Sequence, residues 1–403
     1  MKITFPHIGD VHLIGRIFFR EIGIDIVTPP PNTMRGLEKG SEISPEEICI
    51  PFKLMVANLM EAWQMGADTA IMPATMGPCR LGEYGELLKS ILDKKGCTFR
   101  WILLDSPAAI GKKELLRRLA AVVSDSEKSK PEILRALYGT YKILKNLEHL
   151  EQRAHILAGY ELQKGSCKQV IYDCRKELAK VSGIRDAMRV IRDHLRRLEN
   201  IPVDYDRKPL HLLVTGEIYS MIEPFANHHL EDLLMDMGVS FEKRVTLGWW
   251  IDRTVLDPFR LRALFAPKNR YLPYEIGGYA KDTVAEGILC GRKGYDGVIQ
   301  VFPVGCMPEI VAKAVFSRMI REEKLAVLTV IYDEMGGEAG YITRVEAFVD
   351  MLGRKKREET TAGNIPANSP GENRSLGRRR QAGIVPPHYT DKLKGDADVL
   401  FRH

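Results

Sequence analysis

The sequence predicts an α/β fold: two doubly wound parallel-sheet halves facing each other across a cleft, an inserted helical region, and a disordered basic C-terminal tail. Three observations carry this reading. Strand-like and helix-like segments alternate over residues 1–110 and again over 205–352, the rhythm that parallel sheets require. Between them, over 111–204, apolar residues recur only at three-to-four spacing, the helical period. From 353 to 403 the chain is rich in Gly, Pro, Asn and Arg and poor in large apolar residues, so burial cannot offset the entropy of ordering it.

Each element follows from its pattern. KITFPHI (2–8) reads as a strand, VHLIGRIFFREIG (11–23) as an amphipathic helix, and IDIVTPP (24–30) as a second strand. In PEEICIPFKLMVANLMEAWQMG (45–66), apolar residues take helical spacing from Phe52 onward. DTAIMPA (68–74) is a strand, LGEYGELLKSILDKKG (81–96) a helix and CTFRWILLD (97–105) a strand. Three segments then read as helices: GKKELLRRLAAVVSD (111–125), the long PEILRALYGT…ELQ (131–163) and SGIRDAMRVIRDHLRRLEN (182–200), their charged residues taken most simply as solvated faces. Alternation returns with LHLLVTGE (210–217), HHLEDLLMDMG (228–238), VSFEKRV (239–245), GGYAKDTVAEGILCGRKG (277–294), DGVIQVFPV (296–304), PEIVAKAVFSRMIREE (308–323), KLAVLTVIYDE (324–334) and YITRVEAFVDMLG (341–353).

At 403 residues the chain is long enough for two or three domains, and its 45% hydrophobic and 28% charged residues are ordinary for a soluble globular protein. No basic, apolar leader opens it and no apolar run approaches a membrane span, so a membrane role is not expected. Seven irregularly spaced cysteines argue against a disulfide framework and for reduced thiols in a cytoplasmic protein. The formal charge of +6 suggests nucleic acid until it is located: residues 354–403 hold 11 Lys/Arg against 6 Asp/Glu, leaving +1 for the rest. The body is neutral and no nucleic-acid partner is expected. Arg378, Arg379 and Arg380 could anchor an acidic partner, though a solvated extension is the simpler account.

Three cysteines share one local setting. Cys49 lies in ICIPFK, Cys79 in MGPCRLGEYGE and Cys306 in VFPVGCMPEIV; each has a proline within two residues and precedes a segment that reads as a helix. Backbone N–H groups and the positive end of a helix dipole favour the ionised, metal-binding form of sulfur there. Iron–sulfur clusters prefer thiolates, whereas the paired C-x-x-C spacing of structural zinc is absent. The competing account makes the three cysteines small buried hydrophobes. Cys97, Cys167 and Cys174 read as core or incidental thiols, and Cys290 as a weak contender for a fourth ligand. Among polar residues, Arg80, Glu309 and Glu338 are the catalytic candidates. Arg80 follows Cys79, Glu309 lies in the first turn after Cys306, and Glu338 sits in a Gly-rich turn able to cradle an anion. Lys53, Glu217 and His7 are weaker candidates, and Trp249 and Trp250 read first as packing or interface residues. Neither common phosphate-loop pattern occurs.

ITFPHIGD, PEEICIPFKLMVANLMEA, GADTAIMPATMGPCRLGEYGE, GEIYSMIEPFANHHLEDLL, YDGVIQVFPVGCMPEIVAK and YDEMGGEAGYITRVEAFVDML together span residues 3–352 in order. They resemble the family related to the activators of 2-hydroxyacyl-CoA dehydratases, which is also similar to the cluster-carrying dehydratase subunits and to double-cubane cluster proteins. The resemblance implies two Rossmann-like domains with a [4Fe–4S] cluster, or a larger double cubane, between them. Its ligands would be Cys49, Cys79 and Cys306, leaving one iron open. It further implies a separate ATP-dependent activator with an actin-like fold, a small-molecule or acyl-CoA substrate, and a chain that can dimerise. Reductive dehydration of an acyl-CoA, reduction of another small molecule, and a purely electron-carrying role all remain open, as does a cluster-free binding module.

Overall fold

Two four-stranded sheets, every strand pair parallel, organise the chain; the computed structural model describes residues 1–73, 80–104, 110–252, 270–274, 276–334 and 337–362. The first half runs β1 (Lys2–Thr4), α1 (Val11–Glu21), β2 (Asp25–Ile26), α2 (Met34–Ile43), α3 (Ile50–Gln64), β3 (Thr69–Pro73), α4 (Tyr84–Lys94) and β4 (Arg100–Leu104). Four helices follow: α5 (Lys112–Val122), α6 (Lys130–Leu157), α7 (Ser166–Leu178) and α8 (Ile184–Glu199). The second half runs β5 (His211–Gly216), α9 (Ile218–Ile222), α10 (Leu230–Asp236), β6 (Ser240–Lys243), α11 (Leu247–Ile251), α12 (Ala280–Lys293), β7 (Gly297–Pro303), α13 (Met307–Glu323), β8 (Val327–Tyr332) and α14 (Glu338–Ala362). The strand orders are β2-β1-β3-β4 and β6-β5-β7-β8, so the halves repeat one topology. The predicted α/β class with two parallel sheets is what the chain adopts.

Burial explains the elements. Every residue of β7 is buried, as expected of a strand covered by helices on both faces. In α3, all ten residues from Ile50 to Leu59 are buried, because the helix is apolar around its circumference. The long α6 starts with a capping box of Ser129 and Glu132. One continuous apolar core runs from Leu13 and Phe52 through Leu147 and Ile171 to Leu212 and Val301, so α6, α7 and α8 share a core with both sheets, while Val122 of α5 packs in a separate cluster with Ile3 and Ile102.

One helix went unread and two expectations need correction. Helix α2 was not legible, since Gly36 and Gly40 weaken its propensity. Gly40 is required by packing, because a Cβ there would run into the Lys53 carbonyl oxygen of α3. Thr33 starts the helix by accepting the Gly36 N–H at 3.1 Å. The basic segment expected to be disordered from 353 instead continues α14 to Ala362, with Lys356 Nζ held by Asp296 at 2.7 Å and by the Pro209 carbonyl at 2.8 Å. Residues 363–403, with Arg378, Arg379 and Arg380, lie outside the described residues. Finally, not all charges of the middle helices are solvated. Arg175 bridges Asp10 at 3.0 Å and Glu151 at 2.7 Å, and His155 is buried 3.3 Å from Glu231. Among the described residues no helix is long and apolar enough to cross a membrane.

Candidate functional site

In a doubly wound sheet the crossovers on either side of the first strand leave a crevice at its carboxyl end. Here the crevices of the two halves meet. Beyond β1 the chain turns at Gly9 (φ +46°), whose N–H donates to Glu223 Oε2 of the second half at 2.7 Å. The Tyr219 hydroxyl donates to the His7 carbonyl at 3.2 Å and accepts from Asn32 Nδ2 at 3.2 Å. Asn58 closes this network: its Oδ1 accepts the His7 N–H at 3.0 Å and its Nδ2 donates to Asn32 Oδ1 at 3.0 Å. His7 stacks on His12 with ring centroids 4.4 Å apart, and burial lowers the pKa of both, favouring neutral imidazoles.

Cys49 is the N-cap of α3, with extended backbone (φ −69°, ψ 151°) and Pro51 in the first turn. Its half-buried thiol is hydrogen-bonded with the Tyr84 hydroxyl at the start of α4, and the Tyr84 ring is fixed edge-on against Phe52 at 4.9 Å. Tyr332, the last residue of β8, lies within electrostatic reach of the same thiol. The Tyr332 carbonyl accepts the Val304 N–H at 2.9 Å, two residues before Cys306. Cys306, buried, is the N-cap of α13, following Gly305 (φ +80°) and preceding Pro308. Cys79 lies outside the described residues, five positions before Tyr84. Cys49 thus stands between the helix that follows Cys79 and the strand that runs beside the approach to Cys306.

Both described thiols sit at the positive end of a helix, where the ionised form is favoured, and proline in the first turn removes an N–H that has no helical partner anyway. That donor chemistry fits an iron–sulfur cluster. Among the described residues, which leave out Cys79, no three His, Cys, Asp or Glu side chains converge as a metal site. The other cysteines are buried, and burial pushes Cys290 and Cys174 up to about 12, unlike a ligand thiolate.

Just inside Cys49, Lys53 is almost wholly buried and pairs with Glu334 past the end of β8, which also accepts from Ser41 Oγ at 2.5 Å. This ties α2 and α3 to the second half. Glu217, buried, N-caps α9 by accepting the Tyr219 and Ser220 N–H groups at 2.9 Å each. Ser220 Oγ joins it, donating to Glu217 at 2.7 Å and contacting the Tyr332 hydroxyl at 2.7 Å. Glu309 is 1% exposed and turned into the second half, accepting from Thr283 Oγ1 at 3.0 Å and Gln300 Nε2 at 2.9 Å; burial pushes it up to about 7. Glu338 is exposed at the start of α14 and faces His228. Arg80 begins the short 3₁₀ turn Arg80–Glu83 that leads into α4. Trp249 and Trp250 are half-buried on α11, Trp249 packing on Tyr279 at 5.5 Å, in line with the packing reading.

The family described as CoA enzyme activase uncharacterised domain (DUF2229) matches residues 11–242. The chain belongs to that family. The matched stretch covers more than half of the sequence, from α1 into β6. It therefore takes in Cys49, Cys79, Arg80 and Glu217 and stops short of Cys306, Glu309 and Glu338. No curated protein matches the chain. The match spans the whole helical region and part of the junction, taking in Asn32, Asn58, Tyr219 and Glu223 and leaving out His7, Gly9, Tyr332 and Glu334.

Sequence reasoning missed Tyr84, Tyr332, Ser220 and Glu334, because hydroxyls and a lone carboxylate carry no spacing signal. It also missed His228 and His229, consecutive non-glycine residues in the left-handed region (φ 51° and 53°), with the His228 ring 4.9 Å from Tyr341. The sequence pattern places this pair inside the helix HHLEDLLMDMG, whereas the helix itself begins at Leu230, after both histidines.

Proposed function

We propose that Cys49, Cys79 and Cys306 hold a [4Fe–4S] cluster, or part of a double cubane, at the junction of the two halves, and that the chain works in the manner of a 2-hydroxyacyl-CoA dehydratase. It takes low-potential electrons from a separate ATP-dependent activator of actin-like fold and delivers them to a small substrate, acyl-CoA being the leading class. The observation carrying this reading is the position of Cys49 between Tyr84, in the helix that follows Cys79, and Tyr332, at the end of the strand beside the approach to Cys306. Membership of a CoA enzyme activase family supports the link to CoA chemistry.

Three thiolates leave one iron of a cubane without a protein ligand, so the bound cluster supplies a low-potential electron and a Lewis-acidic corner. The chain's own groups do the rest. The Tyr84 hydroxyl orients Cys49, and the Lys53–Glu334 pair keeps α3 against the second half, limiting water at the thiol. Arg80 would meet an acidic group of the substrate, Glu309 would hold a proton within the second half, and Glu338 would steer charge at the mouth beside His228.

Iron and acid-labile sulfide per chain, with electron paramagnetic resonance on anaerobically purified protein, test this. About four irons, lost in Cys49→Ala, Cys79→Ala and Cys306→Ala, are expected for a cubane and about eight for a double cubane. Wild type without iron after reconstitution would sink the proposal. Loaded protein that turns over no acyl-CoA with reductant and ATPase would leave an electron carrier.

A further inference from the structure

The second half buries three carboxyl side chains that ordinary packing does not call for. Glu217, Glu309 and Glu286 are 9%, 1% and 6% exposed. Glu217 and Glu309 are met by hydroxyls, amides and backbone N–H groups rather than by any cation. Glu286, on α12, faces the Thr215 hydroxyl, and no other hydrogen-bond partner meets its Oε2 among the described residues. An ionised carboxylate so placed is expensive to desolvate, so each group favours its protonated form.

The three stand within electrostatic reach in turn, Glu286 of Glu309 and Glu309 of Glu217. Thr283 and Glu286 are three residues apart on α12 and so share a face; Thr283 Oγ1 donates to Glu309 at 3.0 Å. Gln300, fully buried in the middle of β7, donates to the other Glu309 oxygen and is the register partner of Thr215 on β5, and the Glu217 carboxyl lies within electrostatic reach of Glu309. From Glu217 the line continues through Ser220 Oγ to the Tyr332 hydroxyl, 2.7 Å at each step, and Tyr332 faces Cys49. At the other end, Asp282 and Arg244, both half-exposed, face Glu286.

We infer that Glu286, Glu309 and Glu217 form a proton relay from the outer edge of α12 to the Tyr332 hydroxyl beside Cys49, serving a substrate that takes up a proton with its electron. The relay rests on the reductive reading above. In each cycle one proton leaves Glu217 through Ser220 and Tyr332 toward the substrate. Glu309 then reprotonates Glu217, Glu286 reprotonates Glu309, and solvent reprotonates Glu286. The line ends as it began, with one proton moved inward and no net charge left behind. The groups facing it are Thr215, Arg244 and Asp282 at Glu286, and Thr283, Gln300 and Asp282 at Glu309. Burial pushes Glu286 up to about 8 and Glu309 up to about 7, which suits exchange near neutrality.

Infrared difference spectra of the full chain, titrated from about pH 5 to about pH 9, read the carboxyls directly and need no cluster. We expect protonated-carboxyl bands that disappear near neutral pH, one missing in Glu286→Gln and another in Glu309→Gln. Bands unchanged in both variants would overturn the relay even if iron is bound. In iron-loaded protein, Glu309→Gln should keep its iron and its paramagnetic signal while substrate reduction falls by about tenfold or more. Unchanged turnover in loaded Glu309→Gln would also overturn it. Absence of iron in wild type would strike the cluster reading alone, because the infrared bands stand independently of it.

Discussion

At the carboxyl end of β1 the first half places amides and imidazoles, Asn32, Asn58, His7 and His12, that satisfy one another and the Tyr219 hydroxyl. The second half, with the same strand order, buries Glu217, Glu286 and Glu309 at and behind the carboxyl ends of β5 and β7. A neutral network can close on itself and serve as a rigid joint. Where burial outweighs the groups that favour the ionised form, a carboxyl stays buried by keeping its proton, so the second half is the one that can store and move protons. One topology thus supplies a fixed wall and a titratable wall to the same crevice.

The largest expected effect tests the geometry the two walls share. Each half turns out of its first strand on a glycine: Gly9 (φ +46°), where a Cβ would meet the Ile222 carbonyl, and Gly216 (φ +146°), where a Cβ would meet the Val301 carbonyl. Because the obstructing atom is backbone in both cases, neither can yield by a rotamer change. Gly216→Val should cost more than about 3 kcal/mol, or prevent folding; urea denaturation measures it. A folded Gly216→Val of wild-type stability would show that the second crevice is loosely built.

Next comes the bridge between the walls. The Lys53 side chain is 4% exposed and that of Glu334 30% exposed, so the two truncations are not equivalent. Glu334→Ala strands a buried ammonium and should cost about 3 kcal/mol. Lys53→Met leaves a carboxylate that can reach water and should cost about 1 kcal/mol. Equal costs, measured by urea midpoint, would mean that Lys53 finds water once its partner is gone.

How much of this could be read in advance follows from what each residue signals. The parallel sheets were legible because β3 and β7 are runs of apolar residues bounded by turns, and α1, α6 and α13 keep their apolar spacing. Helix α2 was not, because Gly36 and Gly40 lower its local propensity, and Gly40 answers to the backbone of α3. At the site, the proline beside Cys49 and Cys306 foretold their helix-starting positions. Tyr84 and Tyr332 could not be foretold, since they meet Cys49 from sequence separations of 35 and 283 residues (332 − 49) and only the fold brings them there. Glu309 was noticed for its place in the first turn of a helix, but its turn into the interior depends on Thr283 and Gln300 from two other elements.

A third test contrasts the walls directly. Asn58→Leu conserves volume but leaves the His7 N–H and Asn32 Oδ1 buried without partners, and should cost about 2 kcal/mol at any pH. A pH-dependent loss would instead implicate His7 in the joint.

The smallest effect has the opposite sign. Glu309 keeps its proton to about pH 7 in the folded chain, against 4.5 for an ordinary glutamate. Below the lower value both states are protonated and the contribution is fully present. Between the two, the unfolded chain releases a proton that the folded chain retains, so stability falls as pH rises, and above the upper value the loss is complete. Glutamine at this position accepts from Gln300, donates to Thr283 and never has to ionise. Glu309→Gln should therefore match wild type near pH 4 and exceed it by about 1–2 kcal/mol near pH 8, where the amide-lined first half gains nothing from a comparable change. Denaturation midpoints at the two pH values check this. A Glu309→Gln protein that loses stability at the higher pH would mean the carboxylate is welcomed in its ionised form, and the chemical contrast between the two walls would vanish.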